Sequence, residues 1–134
     1  MSEGTASIRG LNPNTMPRPF GYSQVVEVTA GRTVYISGQV PLDENNELVG
    51  AGDFAAQARQ TFENVRRALE AVNLTFANVV KVQLYLTDME HLPTLRTVRD
   101  EFVNTAQPPA STAVQVSALF RPDVLFELDV IAVG

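Results

Sequence analysis

The side chains around which chemistry could be built are few. Glu127 and Asp129 alternate with apolar residues inside a β-prone run, Val124–Val133, that closes the chain. A carboxylate set into a strand near an apolar face must be hydrated, hydrogen-bonded or paired, and it is either an exposed edge group or the acid of a pocket. Ser37-Gly38-Gln39 follows another β-prone run and reads as a polar turn or a pocket wall. Gly31, Gly38, Gly50 and Gly52 match neither nucleotide-binding glycine spacing. His91 is the one histidine; Glu90 beside it lacks the zincin spacing, and the residue reads as a helix start or surface position.

Composition removes whole classes of mechanism. The 134 residues contain no cysteine, which excludes disulfides, thiolate nucleophiles and thiolate metal sites. One histidine excludes a multi-histidine metal centre within one chain. Fifteen acidic against ten basic residues give a net charge of −5, which argues against a nucleic-acid backbone as the main partner. Arg59, Arg66 and Arg67 lack interleaved aromatics and read as the wet face of a helix. No basic-then-apolar leader and no bilayer-length apolar run occur, so the expected setting is cytoplasmic, with no membrane partner.

These candidates need elements to hold them. Residues 1–20 form a Pro/Gly-rich arm with room for one short strand, Ala6–Arg9. Val25–Thr29 and Thr33–Ser37, separated by Ala30-Gly31-Arg32, read as a hairpin. After Asp53, a plausible N-cap, Phe54, Ala58, Phe62, Val65, Leu69 and Val72 recur at helical spacing, with Gln57 among the polar positions and Asn73 able to end the helix. Val79–Leu86 alternates as a strand, and a second helix is expected over Leu92–Val103 with Pro93 in its first turn. Ser111–Ala118 and Val124–Val133 complete the set.

The expected fold is α+β: a mixed sheet with two helices on one face, in a single domain over residues 1–134. The other sheet face would carry Tyr85, Ala113, Leu125 and Ile131 beside Glu127 and Asp129. Oligomerisation is a natural cover for such a partly apolar face.

The ordered pieces carry a resemblance. Gly21-Tyr22-Ser23-Gln24, Ser37-Gly38-Gln39-Val40-Pro41, Gln57-Ala58-Arg59-Gln60, Phe62-Glu63-Asn64-Val65, Val79-Val80-Lys81-Val82, Pro109-Ala110 and Phe126–Val133 together resemble the RidA/YjgF reactive-intermediate deaminase family over about residues 20–134. The resemblance implies a chorismate-mutase-like fold and a homotrimer with clefts between subunits. It also implies cofactor-independent hydrolysis of enamine and imine intermediates, with no metal.

Carried over by position, Tyr22 matches the cleft tyrosine, Gly38 and Gln39 the cleft wall, and Glu127 the glutamate that holds or activates water. Ser111 stands where deaminases of this type carry a carboxylate-clamping arginine, and Ala113 where a cysteine is often found. Serine offers one hydroxyl in place of a planar, charged fork. An atypical member follows, with weak activity on ordinary 2-imino acids unless Arg18 or Arg121 enters the cleft. Three functions are left: a deaminase-like hydrolase of a small metabolite, a noncatalytic small-molecule-binding trimer, and an endoribonuclease, the last disfavoured by the acidic balance and the lone histidine.

Overall fold

A computed structural model describes residues 6–134. Its strands are β1 (Ser7–Leu11), β2 (Val25–Thr29), β3 (Thr33–Gln39), β4 (Val79–Leu86), β5 (Ala110–Gln115) and β6 (Phe126–Val133); its helices are α1 (Phe54–Ala71) and α2 (Leu92–Asp100). The main sheet runs β3-β6-β4-β5, with β4 and β5 parallel and the other neighbours antiparallel. Both helices cover one face, as expected for an α+β layer.

Helix α1 follows from its pattern. The Asp53 carboxylate caps it by accepting from Ala56 N at 3.1 Å, and Asn73 turns left-handed (φ 61°) just beyond its end. Phe62, Val65 and Leu69 are fully buried against β6 and β4, where Val82, Leu84, Leu86, Phe126, Leu128 and Val130 form the opposing wall. Burying one such side chain contributes about 1.5–3 kcal/mol. His91 ends a short 3₁₀ turn before α2 and stacks on Phe54, ring centroids 4.4 Å apart and 6° from parallel. That contact uses the histidine as a structural ring.

The hairpin between β2 and β3 does not form. β2 pairs with β1 in a separate two-stranded ribbon, and β3 pairs with β6. The chain does reverse at Ala30 (φ 62°) and Gly31 (φ 95°). Arg32 then exchanges two backbone hydrogen bonds with Gly134, which draws the start of β3 onto the end of β6. The N-terminal strand is Ser7–Leu11, two residues beyond the expected Arg9. α2 stops at Asp100; Phe102 and Val103 both return to the Arg99 carbonyl in a tight turn short of the expected end.

Gln57 is a further correction. It lies among the expected wet positions of α1, yet it is fully buried. Its amide donates to the carbonyls of Gly50 and Asp123, and its carbonyl oxygen accepts from Leu125 N at 2.9 Å. It thereby fastens the start of α1 to the entry of β6.

Candidate functional site

Register decides which site residues share a face. In β5, Ser111 pairs with Val82 and Ala113 with Leu84, whose side chains are core. Ser111 and Ala113 therefore lie on the helix side, and Ala113 packs against the core. This corrects the expected place of Ala113 on the open face; Val114, paired with Tyr85, takes that position and is exposed. Each face of β5 mixes polar with small or apolar residues (Ser111, Ala113 and Gln115 on one; Ala110, Thr112 and Val114 on the other), so its two faces differ too little for the sequence to orient them.

Tyr22 joins Ser111 and Ala113. The buried Ser23 donates its hydroxyl to the Pro108 carbonyl and its backbone N–H to the Pro109 carbonyl at 3.0 Å. Those two bonds dock the arm beside the start of β5. The result is a cavity of about 190 Å³ lined by Tyr22, Leu84, Leu95, Ser111 and Ala113, with Phe20, Leu92, Arg96 and Arg99 completing the wall. Arg96 and Arg99 were not anticipated. Each directly follows a core residue of the α2 stripe, Leu95 and Val98, and only the packing of α2 beside β5 shows that this edge of the stripe faces a cavity.

Arg99 is nearly enclosed, its side chain 7% exposed. Its Nε donates to Asp100 Oδ1 at 2.9 Å. Gly21, at φ 76°, leaves the guanidinium its seat: a Cβ there would overlap Nη2 and lie 3.1 Å from Cζ. Arg121 is held elsewhere. Both ends of its fork engage the Asp123 carboxylate, at 3.0 and 2.6 Å, beside a separate depression lined by Thr87, Leu119 and Pro122. Arg18 is exposed and does not line the Ser111 cavity.

Glu127 faces the other way. It pairs with Tyr85, and Asp129 pairs with Gln83, on the face that no helix covers. Gly38 sits over it: a Cβ at that position would overlap the Glu127 carboxylate, so glycine is required by close approach. Gln39 lies beside Gly38 and lines a shallow depression with Asn64 and Arg67. No hydrogen-bond donor contacts the Glu127 carboxylate among the described residues. Burial pushes its carboxyl above the ordinary carboxylate range, and the negative charge of Asp129 adds to that. Asp129 itself is within hydrogen-bond reach of the Tyr85 hydroxyl at 3.0 Å.

One chain thus brings Tyr22, Ser111 and Ala113 together on the helix side of the sheet and Gly38 and Glu127 together on its other face, while Gln39, paired with the core residue Leu128, lies on the helix side in a depression shared with α1. Around the second group the open face exposes Tyr35 (76%) and Val114 (39%). An uncommitted carboxylate with a raised proton affinity, rimmed by exposed apolar side chains, has the chemistry of a general base that a further surface would complete. Among the described residues no group of three or more acidic or histidine side chains is placed to hold a metal ion, and no helix is long and apolar enough to cross a membrane.

Known proteins share this sequence and fold. Residues 15–134 match the family described as Endoribonuclease L-PSP. The chain is 38% identical over 127 residues to Protein DfrA of Myxococcus xanthus, covering 94% of this chain and 95% of that one. It is 34% identical over 120 residues to the 3-aminoacrylate deaminase RutC of Acinetobacter baylyi, covering 90% and 93%. The crystal structure of YyfB from Yersinia pestis, of the conserved Rid protein family, superposes with a TM-score of 0.89 at 35% identity, covering 95% and 98%. Fold, strand order and sequence agree in placing this chain in the RidA/YjgF family, the Endoribonuclease L-PSP group.

Proposed function

We propose that this protein is a cytoplasmic homotrimer that hydrolyses a small enamine or imine without a cofactor, at clefts formed where two copies meet. The observation that carries the reading is the Glu127 carboxylate: half-buried beneath Gly38, uncontacted by any described donor, and held above the ordinary carboxylate range. The cavity around Tyr22 and Ser111 of a second copy supplies the opposing wall. Similarity to a relative named as a 3-aminoacrylate deaminase supports the substrate class.

In this scheme an enamine first tautomerises to its imine by gaining a proton at carbon and losing one at nitrogen. Glu127 removes a proton from water as the oxygen attacks the imine carbon. The carbon–nitrogen π electrons move to nitrogen, which takes the proton held by Glu127 and gives a neutral carbinolamine. Glu127 then accepts the hydroxyl proton as the carbonyl forms and passes it to the nitrogen, which leaves as ammonia. Tyr22 hydrogen-bonds the new oxygen, and the Gly38–Gln39 backbone shapes the wall. Net, one imine and one water give one carbonyl compound and one ammonia.

The test generates 2-aminoacrylate in place with a coupled lyase and follows carbonyl product with and without this protein. Acceleration that Glu127→Gln abolishes supports the reading, and no acceleration by the wild type overturns it. A second reading, a noncatalytic small-molecule-binding trimer, is favoured by one observation: Ser111 puts a short hydroxyl on β5 where the deaminase pattern has an arginine. RNA cleavage is not adopted. His91 is committed to its stack on Phe54, and the chain's net charge is −5.

A further inference from the structure

We infer that Arg96, backed by Arg99, forms an anion clamp on α2, so that the site takes a small carboxylate-bearing ligand despite Ser111. The inference deepens the functional reading above and rests on it for the identity of the site.

The cavity wall carries two cations and no acid. Arg96 and Arg99 reach it from consecutive turns of α2, and Tyr22 and Ser111 add hydroxyls. Like charges three residues apart on a helix repel and destabilise it. Among the described residues no carboxylate pairs with Arg96, which is exposed at the cavity mouth. Asp100 engages Arg99 only through Nε, so both Nη groups stay directed away from that pairing. Among the described residues no buried side-chain nitrogen or oxygen lacks a partner, so the unpaired Nη atoms retain access to solvent. Arg59, Arg66 and Arg121, by contrast, are each spent on a neighbouring carboxylate.

The rest of the wall sets the ligand's size. Leu84, Leu92, Leu95 and Ala113 give it an apolar floor, and about 190 Å³ is below the roughly 300–1,000 Å³ of sites for drug-sized molecules. A carboxylate on the Arg96 fork, a short carbon body on the leucines and one polar group between Tyr22 and Ser111 fill it. Arg99, fixed by Gly21 and Asp100, keeps the inner end of the cavity positive and orients the carboxylate toward α2 rather than toward β5. The cation is thus supplied from a different element than the strand position that Ser111 occupies.

The test compares butyrate with its neutral isostere butyramide by NMR titration of the full chain. Wild type should prefer butyrate by about tenfold or more, the size of one charge-assisted hydrogen bond. Arg96→Gln should bring the two ligands to similar affinity. Arg96→Lys should keep part of the preference, since it retains the charge without the fork. Arg66→Gln, on a guanidinium paired with Glu63, should leave the preference intact. No butyrate preference in the wild type, or an undiminished one in Arg96→Gln, overturns the clamp. The readout involves no turnover. A clamp that fails while Glu127→Gln abolishes imine hydrolysis leaves the deaminase reading standing; a clamp that holds in a protein without hydrolase activity removes only that reading.

Discussion

Ser111 and Glu127 point to opposite faces of the same four-stranded sheet: Ser111 pairs with the core residue Val82, and Glu127 with Tyr85 on the uncovered side. A site that uses both therefore needs two copies of the chain. We expect a species near three times 14.6 kDa by light scattering. Tyr35→Glu, which puts a charge on the most exposed large apolar side chain, should shift the protein to smaller species. A stable wild-type monomer would sink the two-copy site.

Glu127→Gln should lower turnover by about 100- to 10,000-fold while the fold is retained, because the amide keeps the shape beneath Gly38 but accepts a proton poorly. Gly38→Ala tests the same group from the other side. Its methyl must displace the carboxylate, so turnover should fall although no ionisable group is removed. Wild-type rates in either variant, with native circular dichroism, would take Glu127 out of the mechanism.

The raised proton affinity of Glu127 fixes a sign. The native state holds this proton more tightly than the unfolded chain, so the group's contribution is most favourable at low pH. It is lost as pH climbs from the ordinary carboxylate value of 4.5 through the higher native one. Glu127→Gln should then be more stable than wild type at neutral pH, with the gap closing below that window in thermal melts. The acid limb of kcat/KM should lie above 4.5 for the same reason. A variant destabilised at neutral pH would contradict the assignment.

Gln57→Leu should cost at least about 2 kcal/mol, several degrees in Tm, although leucine is apolar and helix-compatible. The change removes the side-chain partner of the Gly50 and Asp123 carbonyls and of the Leu125 amide, at a part-buried junction between α1 and β6. An unchanged melting temperature would show that water or relaxation satisfies them.

Periodicity made the core legible and left the edges obscure. Val79–Leu86 and Phe126–Val133 contrast strongly between faces, and α1 repeats its apolar side chains over five turns, so these elements and their buried sides could be read directly. The Ala30-Gly31 turn announced a reversal, but a turn does not name a strand's partner, and the Arg32–Gly134 bonds decided it. Gln57 was hidden because its polarity is spent on backbone groups 66 and 68 residues away. Tyr22, Gly38 and Glu127 were readable as candidates, yet not their separation onto two faces, which is a property of register. Arg96 and Arg99 were passed over for a related reason: helical periodicity marks the stripe that packs and says nothing of a cavity at its margin.

The docking of the arm by Ser23 has a kinetic consequence. Tyr22 stands on a segment joined to the β1–β2 ribbon, while Ser111 stands on the main sheet. The described side-chain ties between ribbon or arm and the β5 approach are few: Ser23 to Pro108 and Gln107 to Ile8. Amide protons of Val25–Thr29 should exchange with solvent faster than those of β4 and β6, which lie in the interior of the sheet. Such a difference in exchange would assign the two walls of the cavity to different cooperative units, joined through Ser23.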